Sequence, residues 1–238
     1  MVTFTKDEAS CFEQGSLDWY RARLGYITSS MVYNVMLEPT KKDLQAGELF
    51  SGTAKNYLYK VAAERNMKDR FIKDDDNFTE YLDRTNVSTR AMRYGSETEA
   101  VARKVYSGLK GVEVVECGFI YHETIPLYGD SPDGIILDND GRPAGCLEIK
   151  CPSPETWMRY KDRFSKGESL IDVEDKYYWQ AQSHCFCNGL EWCDFVYFDK
   201  MQQNGIGIVT VPANDADIKR MEERIILANQ FINNLIAK

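Results

Sequence analysis

The chain has 238 residues, 43% hydrophobic and 28% charged, enough for one sizeable domain with its own core and no disulfide staples. No run approaches the ~20 apolar residues that cross a bilayer, and residues 1–10 lack the basic flank and apolar core of a secretory signal, so a cytoplasmic setting without membrane partners is expected. A formal net charge of −8 counts against a nucleic-acid partner, but total charge does not locate charge, and acidic residues at a metal site can coexist with a local basic channel.

A first helix is expected over about residues 16–36, with Ser16 as N-cap and a break near Gly25. Residues 39–47 form a polar loop carrying Lys41 and Lys42. Residues 50–66 return to a helical pattern, with Phe50, Tyr57, Leu58 and Val61 at apolar positions. Residues 67–90 are highly charged and irregular and are expected as a surface insertion. A helix runs from near Ser96 to about Leu109, and the β-branched, aromatic stretch VEVVECGFIYH (112–122) predicts a strand. GIILD and GCLEIKC flank DNDGRP, the pattern of a hairpin. Helices over 154–165 and 174–188 follow, then strands at EWCDFVYFD and GIGIVTVP, then an amphipathic helix over 215–236. The order implies α+β or mixed α/β, with a mixed sheet flanked by helices. The expected organisation is one domain over 1–238: helices to residue 66, the insertion 67–90, a core over 91–212, and a C-terminal helix over 213–238.

Seven cysteines (Cys11, Cys117, Cys146, Cys151, Cys185, Cys187 and Cys193), with no CxxC pair, read as free thiols. Iron–sulfur ligation by the last three is disfavoured, because residues two apart on a helix point in divergent directions. Small buried hydrophobes describe them better. His122 and His184 suggest no zinc site; core or surface roles suffice.

The segment that carries chemistry is Ser131-Pro132-Asp133-Gly134 followed by Leu147-Glu148-Ile149-Lys150. Residues two apart on a strand share a face, so Glu148 and Lys150 project together. A hairpin loop over 139–144, pairing Asp138 with Gly145, places Asp133 across from Lys150 and diagonal to Glu148. Diagonal Cβ atoms lie roughly 7–8 Å apart, close enough for two carboxylates to hold one ion. Hard oxygen ligands select Mg²⁺, with Mn²⁺ as a substitute, and the Ile149 carbonyl offers a further oxygen. Such an ion activates water against a phosphodiester, while Lys150 orients that water or stabilises developing charge. Pro-Asp-Gly alone would be an ordinary turn and Glu-x-Lys alone ordinary strand charges. Joined by a hairpin, they are far less expected by chance.

These residues resemble the PD-(D/E)xK nuclease signature. WYRARLGYITSS (19–30), YGSETE (94–99), SPDG (131–134), LEIKCP (147–152) and YYWQAQ (177–182) are similar, in the same order, to the phage lambda exonuclease type of viral recombinase. The resemblance covers most of residues 16–200 and is weak through 67–90 and the C-terminal helix. It implies a restriction-endonuclease-like core and a 5′→3′ exonuclease acting on double-stranded DNA ends. It further implies a ring-shaped homotrimer, a single-strand annealing protein as partner in recombination, and a phage or prophage gene expressed in a bacterial cytoplasm. The chain has no Walker phosphate loop, which fits an enzyme independent of ATP. The alternatives are another PD-(D/E)xK endonuclease, or a non-catalytic DNA-end-binding module on the same fold.

By resemblance, Glu99 lies near the metal and serves a second ion; its bland alternative is a helical pair with Arg103, four residues on. Arg23, Ser30 and Ser131 match a pocket for a 5′-phosphate, suited to a planar, permanently charged guanidinium. Gln180 matches a catalytic-helix glutamine, with Tyr177 one turn earlier; the alternative is Tyr177 in the core and Gln180 exposed. Met92 aligns with an apolar wedge that parts the duplex end. Thr40 stands where the family has a basic residue, a departure that leaves Lys41 and Lys42 as the candidates for backbone contacts.

Overall fold

The computed structural model describes residues 4–85 and 90–237, except for the side chains of residues 90–97. Helix α1 (Lys6–Cys11) opens with a capping box in which Thr5 accepts from the Glu8 N–H and Glu8 accepts from the Thr5 N–H. Helix α2 (Leu17–Arg23) is capped by Ser16, as predicted, but stops before Gly25, whose φ of +75° ends helical geometry. The expected helix over 16–36 therefore breaks into α2, strand β1 (Ile27–Thr28), a 3₁₀ turn (Ser29–Met31) and α3 (Val32–Met36).

Helices α4 (Lys41–Gln45) and α5 (Gly52–Arg65) come next. Residues 67–90, expected to be irregular, contain α6 (Asp69–Lys73) and α7 (Asp75–Thr85). Charge density was a poor guide there, because Ile72 and Phe78, buried in a cluster with Leu24, suffice to anchor the segment. Helix α8 (Arg90–Lys110) starts six residues before Ser96. The single strand predicted over 112–122 is two, β2 (Glu113–Val115) and β3 (Ile120–Tyr121), in different sheets. Between them Gly118 donates to Ser10 O at 2.7 Å, an approach so close that a Cβ there would lie 2.3 Å from Ala9 O. Strands β4 (Tyr128–Asp130), β5 (Gly134–Leu137) and β6 (Pro143–Lys150) lead to helices α9 (Pro154–Ser165), α10 (Leu170–Val173) and α11 (Asp175–Asn188). Strands β7 (Trp192–Phe198) and β8 (Ile206–Pro212) and helix α12 (Asp215–Ile236) complete the chain.

Two compact units emerge. One comprises Met1–Thr85, Gly118–Ser131 and Asn214–Lys238. Its three-stranded sheet runs β1-β4-β3, with β1 parallel and β3 antiparallel to β4. On α12, Met221, Ile225 and Ile232 are fully buried, each contributing roughly 1.5–3 kcal/mol of transfer free energy. Arg65 ties α5 to Gly25 O at 2.7 Å and to Asn229 Oδ1 at 2.6 Å.

The other unit comprises Asn86–Cys117 and Pro132–Ala213, around a mixed sheet in the order β2-β5-β6-β7-β8. Among the described residues of this unit only β6 and β7 pair in parallel; α9, α10 and α11 form the crossover that a parallel pair needs. Alternation then sorts the faces. Leu147, Ile149, Val196 and Phe198 pack with Ala102 and Tyr106 of α8. Phe195 and Tyr197 meet the rings of Tyr160, Phe164 and Tyr177 from α9 and α11. The predicted hairpin is present: Asp138 Oδ1 accepts from the Asp140 and Arg142 N–H groups, and Gly141 takes φ +76°.

Candidate active site

On the β5–β6 hairpin, Gly134 pairs with Leu147 and Ile135 with Cys146, with a bulge between Ile136 and Leu137. The predicted register put Asp133 across from Lys150. The observed register is displaced by two residues, bringing Asp133 level with Glu148, because the turn closes earlier, with Leu137 opposite Pro143, and the bulge recovers only one residue of that difference. An even displacement leaves every side chain on its original face, so the convergence survives. Asp133 donates its N–H to Leu147 O at 3.0 Å, and its Oδ2 accepts from the Ile149 N–H at 2.6 Å. The Ile149 side chain is buried on the opposite face.

Glu148 is fully buried. Its Oε1 forms an ion pair with Lys150 Nζ, and its Oε2 lies 2.7 Å from His184 Nε2. Burial alone would raise the Glu148 pKa, but the Lys150 charge and the His184 contact reverse this and hold it below the usual carboxylate range. For Lys150 burial pulls down, yet Glu148 and Asp133 outweigh it and keep the ammonium protonated. Asp133 is pushed up by burial, then by the charges of Glu148 and Glu99. Glu99 reaches this cluster from α8, hydrogen-bonded to Asp133, and burial raises its pKa too. Its pairing with Arg103, at 3.8 Å, is also present. Arg103 in turn donates to Asp133 O at 2.7 Å, so this arginine helps fix the aspartate.

Three carboxylates face the Lys150 ammonium and, at the Glu99 edge, the Arg103 guanidinium, an arrangement still one positive charge short. Glu148 Oε1 is buried, with Lys150 as its partner. Both features suit a hard divalent cation. Among the described residues no group of three His, Cys, Asp or Glu could hold an ion by itself. Backbone and water oxygens would have to complete the shell, as magnesium favours.

Helix α11 presents Tyr177, Gln180 and His184 at i, i+3 and i+7, one helical face. Tyr177 is half-buried, stacks on Phe195 at 5.5 Å, and has Lys150 Nζ 5.1 Å from its ring centre. Gln180, whose bland alternative was an exposed position, is 6% exposed. His184, given only a core or surface role from the sequence, touches Glu148 directly. A histidine four residues beyond Gln180 was the available signal, but only the sheet decides what that helix face meets.

In the other unit, the Arg23 guanidinium lies 4.1 Å over the Trp19 ring and donates to Ser30 Oγ at 3.4 Å. Trp19 Nε1 donates to Ser131 Oγ at 3.0 Å, linking the three predicted residues through a tryptophan that the sequence did not single out for binding. Burial lowers the Arg23 pKa, partly offset by Tyr57, Tyr20, Glu64 and Asp130. No ion pair neutralises Arg23 among the described residues. Lys41 and Lys42 are exposed on α4, where Thr40 serves as N-cap in a capping box with Asp43. The side chain of Met92 lies outside the described residues.

Fold and site together define a nuclease of the phage-recombinase exonuclease class. Residues 18–191 match the YqaJ-like viral recombinase domain, and the chain belongs to that family. An alkaline exonuclease from Laribacter hongkongensis is similar at 28% identity and a TM-score of 0.71, over 93% of this chain and 95% of its own. Its complex with dAMP matches equally well. A phage-related exonuclease from Haemophilus somnus 129PT shares the fold at 16% identity and a TM-score of 0.61, over 89% of this chain and 95% of its own. No curated protein matches the sequence.

Proposed function

We propose that the protein is a Mg²⁺-dependent, ATP-independent 5′→3′ exonuclease that degrades one strand of double-stranded DNA from its end, for recombination by strand annealing. The observation that carries this reading is the meeting of Asp133, Glu148, Glu99 and Lys150 at one end of the β5–β6 hairpin. Asp133, Glu148 and the Ile149 carbonyl would hold Mg²⁺, or Mn²⁺ in its place, with Glu99 available to a second ion. Such an ion supplies Lewis-acid polarisation of the scissile phosphate. Lys150, kept protonated, places a full positive charge where the phosphate gains negative charge, and Tyr177 restricts where that ammonium can sit. Gln180, on the same helix face as Tyr177 and His184, contacts the scissile region or the neighbours of the attacking water.

Arg23, Ser30 and Ser131 form the receptor for a 5′-phosphate, which sets the polarity. The Laribacter enzyme binds dAMP, itself a 5′-phosphate. Met92 acts as the strand-parting wedge, and Lys41 and Lys42 contact the DNA backbone. The family further suggests a homotrimer, an annealing protein as partner, and action in the cytoplasm of a phage-bearing bacterium. Among the described residues no helix is long and apolar enough to cross a membrane. Sedimentation equilibrium tests the trimer: the mass of one copy would exclude it.

The deciding experiment compares the wild type with Lys150→Ala on linear and covalently closed duplex DNA with Mg²⁺. The wild type should release nucleotides from linear DNA and spare the closed circle. Lys150→Ala should be at least ~10²-fold slower, the usual cost of losing one preorganised charge-stabilising donor. Equal, near-zero release from both proteins would leave a non-catalytic end-binding module. Cutting of closed circles would indicate an endonuclease.

A further inference from the structure

Glu148 uses its two oxygens differently. Oε2 is held by His184 Nε2 at 2.7 Å, with both side chains fully buried, while Oε1 carries the Lys150 ion pair. A carboxylate pinned through one oxygen cannot rotate to offer both to an ion. We propose that His184 is a positioning residue which, with its proton on Nε2, clamps Glu148 so that Oε1 alone is presented to the catalytic cation. The inference rests on the metal site proposed above and adds the residue that sets its geometry. Helix α11 is suited to the task, because Gln182 anchors it independently by donating to Pro212 O at 2.9 Å.

The test measures Mn²⁺ binding to DNA-free protein by electron paramagnetic resonance, with no turnover involved. Losing a hydrogen-bond partner of a metal ligand typically costs 10–100-fold in metal affinity. His184→Leu should therefore raise the Mn²⁺ Kd by 10–100-fold, while His184→Gln, which keeps an N–H donor, should stay within about threefold of wild type. In steady-state assays His184→Leu should require more Mn²⁺ for half-maximal rate without a change in KM for DNA ends. If leucine prevents folding, His184→Asn, whose amide is too short to span the contact, replaces it with the same expected weakening. A folded Leu or Asn variant that binds Mn²⁺ as the wild type does overturns the role of His184 and leaves the nuclease reading standing. Absence of Mn²⁺ binding by the wild type overturns both.

Discussion

The proposed 5′-phosphate receptor turns on one residue, Arg23. It is a cation with an aromatic platform beneath it and a serine beside it, and among the described residues Glu64 and Asp130 act on it only at a distance, without a direct ion pair. A buried or half-buried charge is costly unless something pairs with it, and the planar guanidinium suits a phosphate. Arg23→Ala should abolish the preference for 5′-phosphorylated over 5′-hydroxyl ends. A charge-assisted hydrogen bond of about 1.5–3 kcal/mol corresponds to roughly 10–150-fold in kcat/KM on phosphorylated ends, with hydroxyl ends little changed. Equal losses on the two kinds of end would remove Arg23 from phosphate recognition. Legibility at this scale was uneven. Asp133, Glu148 and Lys150 stood out because strand periodicity and a hairpin turn are local properties. His184 and Trp19 did not, because a histidine on a helix and a tryptophan in an amphipathic stretch are usually core, and their partners are 36 and 112 residues away.

At the scale of elements, the sheet that carries the site is fitted together by aromatic rings lying over glycines on adjacent strands. Tyr197 of β7 pairs with Gly207 of β8, where a Cβ would come within 2.0 Å of the ring. Trp192 covers Gly145 in the same way, with 2.5 Å to an added Cβ. Tyr197 is buried among Trp157, Tyr160 and Phe164 and has nowhere to retreat. Gly207→Ala should therefore lower stability by about 1–3 kcal/mol in urea unfolding, the usual cost of overpacking. A change below about 0.5 kcal/mol would mean that the ring is free to move. The sequence predicted β7 and β8 from their β-branched and aromatic content, but gave no reason to couple these glycines to these rings. It also missed the break between β2 and β3 and the helices α6 and α7. In both places two or three buried contacts outweigh a local pattern of propensity or charge.

For the whole molecule, we propose that residues 1–238 unfold as one domain, and alkaline pH offers a way to ask. Tyr57 is buried, which pushes its pKa up from 10.0 to about 12, with the Thr28 N–H bond to its hydroxyl working the other way. Its raised value means that stability is fully present below pH ~10, where Tyr57 is neutral in both states. That stability is then lost as pH climbs through about 12, because the unfolded chain ionises first. Its share is roughly 2–3 kcal/mol at most. Tyr57→Phe should be less stable at neutral pH, since the Thr28 N–H loses its acceptor, but should show a shallower decline above pH 10. Amide exchange should report that change in β6 and β7 as well as in α5. If only α5 responds, the chain is two domains. What the sequence determined alone was the ordered motif set, the mixed α/β class and the face shared by Glu148 and Lys150, all of which follow from periodicities of a few residues. The register of the hairpin, the approach of Glu99 and His184 to the carboxylates, and the Trp19 platform under Arg23 were decided by the tertiary structure. Each depends on contacts between distant segments, and packing, rather than local spacing, fixes which of the possible partners meet.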